Sequence, residues 1–396
     1  MKLKTLNDVD VKGKKVLIRV DINSPVVNGL IEDNPRFEQS AKTISYLVDK
    51  GAKVVIIAHQ GRKGDNDFLP LEQHAKILTK YCGKKIRYID ELFEDKVSGE
   101  INKLKMGEGI LLKNVREYNE EKDLINTEKY EQFCKQFDLY VNDAFSVSHR
   151  KQGSIMIPPR IIPGVIGLGF EKEINALSKL DLNKSSRTAL LIGGVKIKDY
   201  LPLFNMLSKK DNIIIASGVL ANLILMAKGI DLGFESKWLK DNKYDKLLSE
   251  VKKLYEKYKK QIVLPVDFGL IDKKKKRVDL TISQVPFKYK IMDIGPASVE
   301  LYKKELAKCK TIIMKGPLGF SEIEEFSYAT REILSFISKL SKEGKIFSIL
   351  GGGHLSTTME KYKIEDNFNY ISLSGGAFLE YISGKELPGI KALYRS

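Results

Sequence analysis

Charged side chains follow several predicted strands in the first half of the chain. Residues 15–20 have the apolar pattern of a buried strand, and Asp21 and Asn23 come directly after it. Comparable positions after other strands, or in the first turn of the next helix, hold Arg36, His59, Arg62, Arg116, His149 and Arg150. Four arginines and two histidines would repel one another without an anion between them. The pattern therefore predicts a basic pocket for a small phosphorylated acid.

Glycines occupy the corresponding places in the second half. Five predicted strands run into turns that contain Gly193 and Gly194, Gly218, Gly316 and Gly319, Gly351 to Gly353, and Gly375 and Gly376. A strand that ends in glycines and opens a helix lets backbone N–H groups approach an anion closely. Because glycine is also common at helix boundaries, one such turn is a weak indication. Together the five turns predict a site for the phosphates of a nucleotide.

Short apolar strands alternate with amphipathic helices along both halves of the chain, which is typical of parallel sheets covered by helices. Ligands of such sheets bind outside the carboxyl ends of the strands. We predict an α/β fold of two doubly wound parallel-sheet (Rossmann-like) domains, joined by a linking helix, with a cleft between them. The predicted divisions are residues 1–165 (first domain), 166–183 (linking helix), 184–378 (second domain) and 379–396 (C-terminal segment).

One helix start is specified in detail. Asn34 and Pro35 supply a cap and a proline at the first helical position, and the apolar residues that follow share one helical face. Arg36 is therefore expected in the first turn of this helix.

The net charge of +16 over 396 residues makes nucleic-acid binding a serious alternative. Its lysines are spread over the predicted helices, however, and the densest basic run, residues 273–277, is flanked by Asp272 and Asp279. This run is expected to be a solvated loop. The chain also lacks clustered basic residues with aromatic platforms. A basic protein can equally be an enzyme that attracts polyanionic small molecules.

The three cysteines show no paired spacing, so we expect neither a disulfide framework nor a zinc site. The unpaired cysteines favour a reducing, cytoplasmic setting, and the N-terminal residues form no apolar targeting segment. The longest apolar stretch, 213–227, is shorter than the ~18 residues of a membrane span. We expect a monomer, with a dimer as the alternative.

Known nucleotide motifs narrow the choice further. The chain contains neither the P-loop pattern G-x-x-x-x-G-K-[ST] nor G-x-G-x-x-G after a strand. Asp267, Phe268 and Gly269 copy a protein-kinase triplet, but no H-R-D loop precedes them. We interpret them as the end of a strand at 261–266. One basic domain and one glycine-lined domain then indicate a transferase that brings an anion to a nucleotide.

At this level of detail the motifs resemble those of the phosphoglycerate kinase family. The matching segments are RVDINSP (19–25), HQGR (59–62), NDAF (142–145) with His149 and Arg150, GGVK (193–196), DIGP (293–296), GPLG (316–319), GGG (351–353) and GKELPG (384–389). They occur in the family's order and cover essentially the whole chain. His354, directly after the triple glycine, resembles the archaeal branch.

The resemblance implies reversible transfer of a phosphoryl group between MgATP and the carboxylate of 3-phosphoglycerate, in glycolysis and gluconeogenesis. It implies that the phosphoglycerate is bound in the first domain by Asp21, Asn23, Arg36, His59, Gln60, Gly61, Arg62, Arg116, His149 and Arg150. It implies that the nucleotide is bound in the second by Gly194, Lys196, Gly316, Pro317, Glu322, Gly351, Gly352, Gly353 and His354. Arg36 and Lys196 are the implied catalytic residues. Mg²⁺ is expected to bind mainly through the nucleotide, and the C-terminal segment to pack on the first domain.

Three positions depart from the pattern usual in the family. His354 stands where many relatives have aspartate, Tyr200 where a second lysine is usual, and Lys315 where asparagine is typical. Lys198 is a candidate substitute for the missing lysine. These departures keep open a binding protein that has lost turnover, and nucleic-acid binding is the third hypothesis.

Overall fold

The computed structural model describes residues 3–125, 127–180, 187–209 and 211–394, without the side chains of Gly353 and His354. The chain divides into two compact units. Unit 1 comprises Met1–Leu177 and Gly384–Ser396, and unit 2 comprises Ser178–Ser383. The sequence places the divisions after residues 165, 183 and 378, whereas the structure changes unit after residues 177 and 383.

Unit 1 is built on a six-stranded parallel sheet. Its strands, together with those of a small hairpin, are β1 (Lys15–Val20), β2 (Val26–Val27), β3 (Leu30–Ile31), β4 (Lys53–Ile57), β5 (Ile86–Ile89), β6 (Gly109–Leu112), β7 (Leu139–Asp143) and β8 (Gly164–Ile166). The order in the sheet is β5-β6-β4-β1-β7-β8, and every neighbouring pair is parallel. The strands β2 and β3 pair separately as an antiparallel hairpin.

Helices connect these strands. They are α1 (Pro35–Asp49), α2 (Glu72–Cys82), α3 (Asp95–Lys103), α4 (Glu128–Cys134), α5 (Gly153–Met156), α6 (Pro158–Ile161) and α7 (Leu168–Ser178), with 3₁₀ turns at Leu6–Asp8, Val115–Glu117, Asn119–Glu121 and Phe145–Val147. The predicted cap of α1 is confirmed, because the Asn34 side chain accepts a hydrogen bond from the Arg36 N–H at 3.0 Å. Phe37, Ile44 and Leu47 of α1 are fully buried against the sheet, which fixes the direction in which the helix leaves its cap.

Unit 2 contains a second six-stranded parallel sheet and a separate antiparallel one. Its strands are β9 (Thr188–Ile192), β10 (Ile213–Ala216), β11 (Ile262–Val263), β12 (Asp267–Ile271), β13 (Arg277–Thr281), β14 (Lys290–Ile294), β15 (Thr311–Lys315), β16 (Phe347–Gly351) and β17 (Tyr370–Ser372). The parallel sheet has the order β11-β10-β9-β15-β16-β17, and the antiparallel sheet has the order β13-β12-β14.

The helices of unit 2 complete the predicted alternation with its parallel strands. They are α8 (Ile197–Tyr200), α9 (Gly218–Ala227), α10 (Phe234–Asp241), α11 (Leu248–Tyr258), α12 (Pro296–Leu306), α13 (Tyr328–Lys342), α14 (Gly353–Lys361) and α15 (Gly376–Ile382), with 3₁₀ turns at Leu201–Ser208, Tyr244–Leu247, Lys259–Gln261, Ile282–Gln284 and Glu324–Phe326. The α/β class with two helix-covered parallel sheets is confirmed. The part of the chain that the structure describes has no helix long and apolar enough to cross a membrane.

The antiparallel sheet corrects one prediction. Asp267 does not end a strand at 261–266, because β11 stops at Val263 and Asp267 begins β12. Pro265 lies between the two strands and has no N–H group with which to continue the ladder. Arg277 is also not part of a solvated loop. It begins β13 and donates a hydrogen bond to Asp293 at 2.8 Å.

The helix predicted at 166–183 corresponds to α7, Leu168–Ser178, and the predicted residues from 181 onward lie outside the described part of the chain. The C-terminal segment returns to unit 1. There α16 (Pro388–Leu393) contacts α5 and α6, and the Gly389 N–H donates to the Ser148 carbonyl at 2.8 Å.

Candidate functional site

The predicted binding residues of unit 1 follow neighbouring strands. The strands β6, β4, β1 and β7 are adjacent and parallel, so their carboxyl ends lie at one edge of the sheet. Asp21 and Asn23 follow β1, His59 to Arg62 follow β4, Arg116 follows β6, and His149 and Arg150 follow β7. The structure therefore gathers these residues at one edge, with Arg36 at the start of α1.

Asp21 is the negative centre of this edge. It lies 2.6 Å from the Arg36 guanidinium, and the Ser146 hydroxyl donates a hydrogen bond to the same carboxylate oxygen. Burial alone would raise the pKa of Asp21, but the charge of Arg36 and the bond from Ser146 hold it well below its ordinary value. Asp21 is therefore ionised at neutral pH, and it orients Arg36, whose side chain stays 29% exposed.

His59 is buried beside a cation. The Arg19 Nη2 lies 3.0 Å from the Nδ1 of His59. Burial, followed by the charge of Arg19, lowers the pKa of His59 well below its ordinary value, so the ring is neutral. Because arginine only donates hydrogen bonds, Nδ1 must accept, and the ring proton is on Nε2.

Gln60 and Gly61 shape the turn after β4. The Gln60 side chain is fully buried, and its amide is occupied by Ser24, His74 and the Asp67 carbonyl at 2.9–3.0 Å. The Gly61 N–H donates to the Asn23 side chain at 2.8 Å, and a Cβ at Gly61 would lie 2.4 Å from the Asp67 carbonyl oxygen. Gln60 thus holds the turn, and its role as a substrate contact stays a prediction.

The arginines at this edge of the sheet in unit 1 affect one another's pKa values. Arg116 donates to the Gly61 carbonyl at 2.5 Å, and burial, followed by the charges of Arg19 and Arg150, lowers its pKa to about 10. Burial and then the charge of Arg62 lower the pKa of Arg150. The Nε of Arg150 is 3.4 Å from the Nε2 of His149. Positive groups that lower the pKa values of their neighbours favour a multiply charged anion among them.

In unit 2 the turns that follow the strands contact one another through backbone atoms. The strands β9, β15 and β16 are adjacent, and the Gly193 N–H donates to the Lys315 carbonyl at 2.9 Å. A Cβ at Gly193 would lie 2.0 Å from the Pro317 carbonyl oxygen, and one at Gly316 would lie 2.8 Å from the Gly193 carbonyl oxygen. Only glycine permits this contact between the two turns.

The triple glycine joins β16 to α14. Gly352 has φ 114° and ψ 141°, a conformation that side chains rarely permit. The Nζ of the buried Lys315 lies 3.4 Å from the position that a Cβ at Gly352 would take, and 5.7 Å from the centre of the Phe378 ring. The structure therefore places an ammonium group beside this turn, whereas the side chain of the predicted nucleotide ligand His354 lies outside the described residues.

The other predicted nucleotide residues are more dispersed. Lys196 is exposed just before α8, and Gly194 precedes it with φ 79°. Lys198 is exposed, while Tyr200 is buried with its hydroxyl 4.0 Å from the position of a Cβ at Gly194. Glu322 is exposed in a turn after β15. The structure thus brings the turns at Gly193 and Gly316 together.

Sequence reasoning missed Arg19 and Glu121. Both are fully buried, and neither follows a strand. Arg19 lies inside the segment RVDINSP. Its position in the strand pattern of β1 indicates that it is buried, but this pattern does not show that Arg19 contacts His59. Across the described ranges, no group of three or more His, Cys, Asp or Glu side chains could hold a metal ion.

Fold and site together define a class: α/β proteins of two parallel-sheet units, one with charged and one with glycine-rich strand ends. The model of the family described as Phosphoglycerate kinase matches residues 6–385. The chain therefore belongs to the phosphoglycerate kinase family, as the resemblance of its motifs predicted.

Archaeal relatives confirm the predicted branch. The chain is similar to the phosphoglycerate kinase of Archaeoglobus fulgidus, at 39% identity over 99% of this chain and 96% of the relative. It is 37% identical to that of Methanothermus fervidus over 99% and 97% of the two chains. The crystal structure of the Pyrococcus horikoshii OT3 phosphoglycerate kinase gives a TM-score of 0.90 at 34% identity and covers 99% of both chains. The structure of the Coxiella burnetii phosphoglycerate kinase gives 0.82 at 30% identity, over 100% of this chain and 99% of that one.

Proposed function

We propose that this chain transfers a phosphoryl group reversibly between MgATP and the carboxylate of 3-phosphoglycerate. As a member of its family it is a kinase of glycolysis, a phosphotransferase with a carboxyl group as acceptor, and ATP and ADP are the family's nucleotides. The observation that carries the proposal is the cluster of cations around Asp21 at the sheet edge of unit 1. Such a cluster suits an acid that carries both a carboxylate and a phosphate.

We assign the ends of the acid to different parts of this cluster. His59, Arg62, Arg116 and Arg150 would hold the phosphate, with His149 beside them. Asp21 and Asn23 would position the hydroxyl and carboxylate region. Arg36 would contact the reacting carboxyl group. The ion pair with Asp21 at 2.6 Å supports this role, because it orients the guanidinium before the substrate arrives.

The chemistry needs no general base. A carboxylate is already ionised at neutral pH, so it can attack the phosphoryl group directly and in line. What the protein must supply is alignment and positive charge for the oxygens of the transferring group. In this proposal Arg36 supplies that charge from unit 1, and Lys196 supplies it from unit 2. Lys315 would add a further charge beside the triple glycine, where its Nζ lies.

The glycine turns of unit 2 would bind the nucleotide. Gly194, Gly316, Pro317 and Gly351 to Gly353 would present backbone to the phosphates, and Glu322 would bind the ribose hydroxyls. Phosphate oxygens are ligands that Mg²⁺ prefers, so the ion would bind mainly through the nucleotide and neutralise part of its charge. We also propose domain closure before transfer, because an open site would let water accept the phosphoryl group. A cytoplasmic, monomeric protein remains our prediction.

A coupled assay tests the proposal. The purified chain should form ADP from ATP and Mg²⁺ only when 3-phosphoglycerate is present. Absence of turnover across a wide temperature range, with both ligands still bound, would favour a binding protein instead, which family membership does not favour. Salt-sensitive retention of RNA that phosphoglycerate does not displace would support nucleic-acid binding.

A further inference from the structure

A series of buried hydrogen bonds lies behind His59. Arg19, Ser154 and Glu121 are all fully buried. The Nε of Arg19 donates to the Ser154 hydroxyl at 2.9 Å, and that hydroxyl donates to a Glu121 carboxylate oxygen at 2.8 Å. The Nη2 of Arg19 reaches the Nδ1 of His59 at 3.0 Å. Glu121 is thus connected to His59 through two side chains.

The direction of each bond follows from the groups present. Arginine can only donate, so the Ser154 oxygen accepts from Arg19 and its own hydrogen points to Glu121. The second oxygen of Glu121 accepts from the Ser154 N–H at 2.8 Å and from the Tyr130 hydroxyl at 3.3 Å. At the other end Arg19 leaves Nδ1 of His59 no role but acceptor. The series therefore specifies one tautomer of the ring.

The buried charges of Arg19 and Glu121 explain why these two residues are linked by hydrogen bonds. A fully buried guanidinium is costly without a compensating negative group. In the described ranges Arg19 has no direct ion pair, and Glu121 is the carboxylate reached through a single hydroxyl. Burial raises the pKa of Glu121, and the charge of Arg19 opposes that rise. Arg19 therefore supports the charged form of Glu121.

We propose that Glu121 is a positioning residue. Through Ser154 it holds Arg19 in place, and Arg19 fixes His59 in the tautomer that carries its proton on Nε2. Among the described residues no hydrogen bond engages that Nε2. Its N–H group is therefore available to an anionic oxygen. This inference rests on the proposed function for the role of His59 as a phosphate ligand, but not for its tautomer.

The chain contains its own reference for the test. The Nε2 of His74 lies 3.0 Å from the side-chain oxygen of Gln60, which can only accept, so His74 also carries its proton on Nε2. His74 is fully buried but is held by a neutral amide outside the series. With only four histidines in the chain, ¹⁵N NMR of the imidazoles can follow both rings.

The variants to compare are Ser154→Ala and Glu121→Gln, with Tyr130→Phe as the matched control. Ser154→Ala breaks the series and leaves both charges. Tyr130→Phe removes a different bond to the same carboxylate, at the oxygen that the Ser154 hydroxyl does not contact. In the wild type, His59 should show a protonated Nε2 and a bare Nδ1. In Ser154→Ala and Glu121→Gln it should show a mixture of tautomers, while His74 stays unchanged.

Kinetics provide the second reading. We expect KM for 3-phosphoglycerate to rise about tenfold in Ser154→Ala, as for one weakened charge-assisted hydrogen bond. The kcat value and KM for ATP should stay within about twofold, because an anchoring contact contributes equally in the ground and transition states. Tyr130→Phe should match the wild type in all three.

Several results would overturn the proposal. If NMR of the wild-type protein shows the His59 proton on Nδ1, the proposal is wrong, and no variant is needed to decide this. A folded Ser154→Ala protein whose His59 tautomer and KM are both unchanged would also overturn it, and so would a Tyr130→Phe protein that loses as much as Ser154→Ala. The NMR reading needs no turnover. A protein without kinase activity whose His59 still responds to Ser154→Ala would therefore refute the proposed function and support the role of Glu121.

Discussion

Units 1 and 2 share one architecture and differ in the residues at the ends of their strands. Each has six parallel strands with connecting helices. At the strand ends of unit 1 stand Asp21, His59 and Arg116, and at those of unit 2 stand Gly193 and Gly316. The shared fold determines where a ligand can bind, and the few residues after each strand determine which chemistry meets it. Side chains can surround a small rigid anion, whereas bare backbone can approach a flexible chain of phosphates.

The two kinds of strand end also respond differently to substitution. The charged edge depends on mutual electrostatics, since burial and then the charges of Arg19 and Arg150 lower the pKa of Arg116. The glycine edge depends on space, since added Cβ atoms would lie 2.0–2.8 Å from backbone oxygens at Gly193 and Gly316. Removing a charge should therefore impair catalysis without unfolding, while adding a methyl group should disturb the local backbone.

The largest effect is expected from Arg36→Ala. We expect kcat to fall about 10²- to 10³-fold, because charge that develops on the transferring group would lose a preorganised partner. Arg87→Ala is the matched control, since Arg87 also forms an ion pair in unit 1, with Glu100 at 2.9 Å, but follows no strand end of the site. Steady-state kinetics and circular dichroism give the comparison. Near-normal turnover in a folded Arg36→Ala protein would remove Arg36 from catalysis.

The second prediction compares two buried carboxylates, Asp143 in unit 1 and Asp293 in unit 2. Asp143 accepts from the Phe170 N–H in the first turn of α7, and Asp293 accepts from the Ala329 N–H in the first turn of α13. Burial raises the pKa of Asp143 to about 7 and that of Asp293 to about 6, although Arg277 contacts Asp293 at 2.8 Å. Asp143 has no ion pair within the described part of the chain.

Replacement by asparagine should act in opposite directions at these sites. The folded-state pKa of Asp143 lies above its ordinary value, so the wild type loses stability as pH rises from about 4 to 7. Asp143→Asn removes that loss and should add roughly 2–4 kcal/mol to the unfolding free energy at pH 8. Asp293→Asn removes the buried one of the two carboxylates that Arg277 contacts and leaves Asp279 at 2.9 Å, so it should cost about 1–3 kcal/mol. Denaturant unfolding at pH 5 and pH 8 measures both, and equal signs at pH 8 would contradict this account.

The smallest effect concerns the triple glycine. Gly352→Ala should raise KM for ATP about tenfold, since its backbone must leave the φ of 114° to accept a side chain, and KM for 3-phosphoglycerate should not change. Gly344→Ala is the control, because Gly344 has φ 65° in the same unit but open space around its Cβ position. It should lower stability by about 1 kcal/mol and leave both KM values intact. Equal kinetics for the two variants would show that the turn does not contact the nucleotide.

The sequence is sufficient for elements that carry their own local signals. Asn34 and Pro35 predict the start of α1, and the apolar run at 15–20 predicts β1 with its bounds. The edges at which ligands bind also follow, because a parallel sheet leaves few choices once the strands are known.

Contacts between distant residues cannot be predicted in this way. Arg19 meets Ser154 across 135 positions, and periodicity identifies a buried position without identifying its neighbour. The resemblance implies that Gln60 contacts the substrate, but it does not show that the Gln60 amide also binds Ser24. The lysines beside Arg277 favour a loop, although Arg277 contacts a carboxylate 16 positions away.

The return of α16 to unit 1 affects the order in which the protein can be completed during translation. Unit 2 is continuous in the chain, whereas unit 1 needs residues 384–396 in addition to its first 177. A ribosome therefore releases all glycine turns of unit 2 before the segment whose Gly389 holds Ser148, next to His149 and Arg150. A nascent chain can finish its glycine-lined unit first, and the charged edge becomes complete only with the last turns of helix.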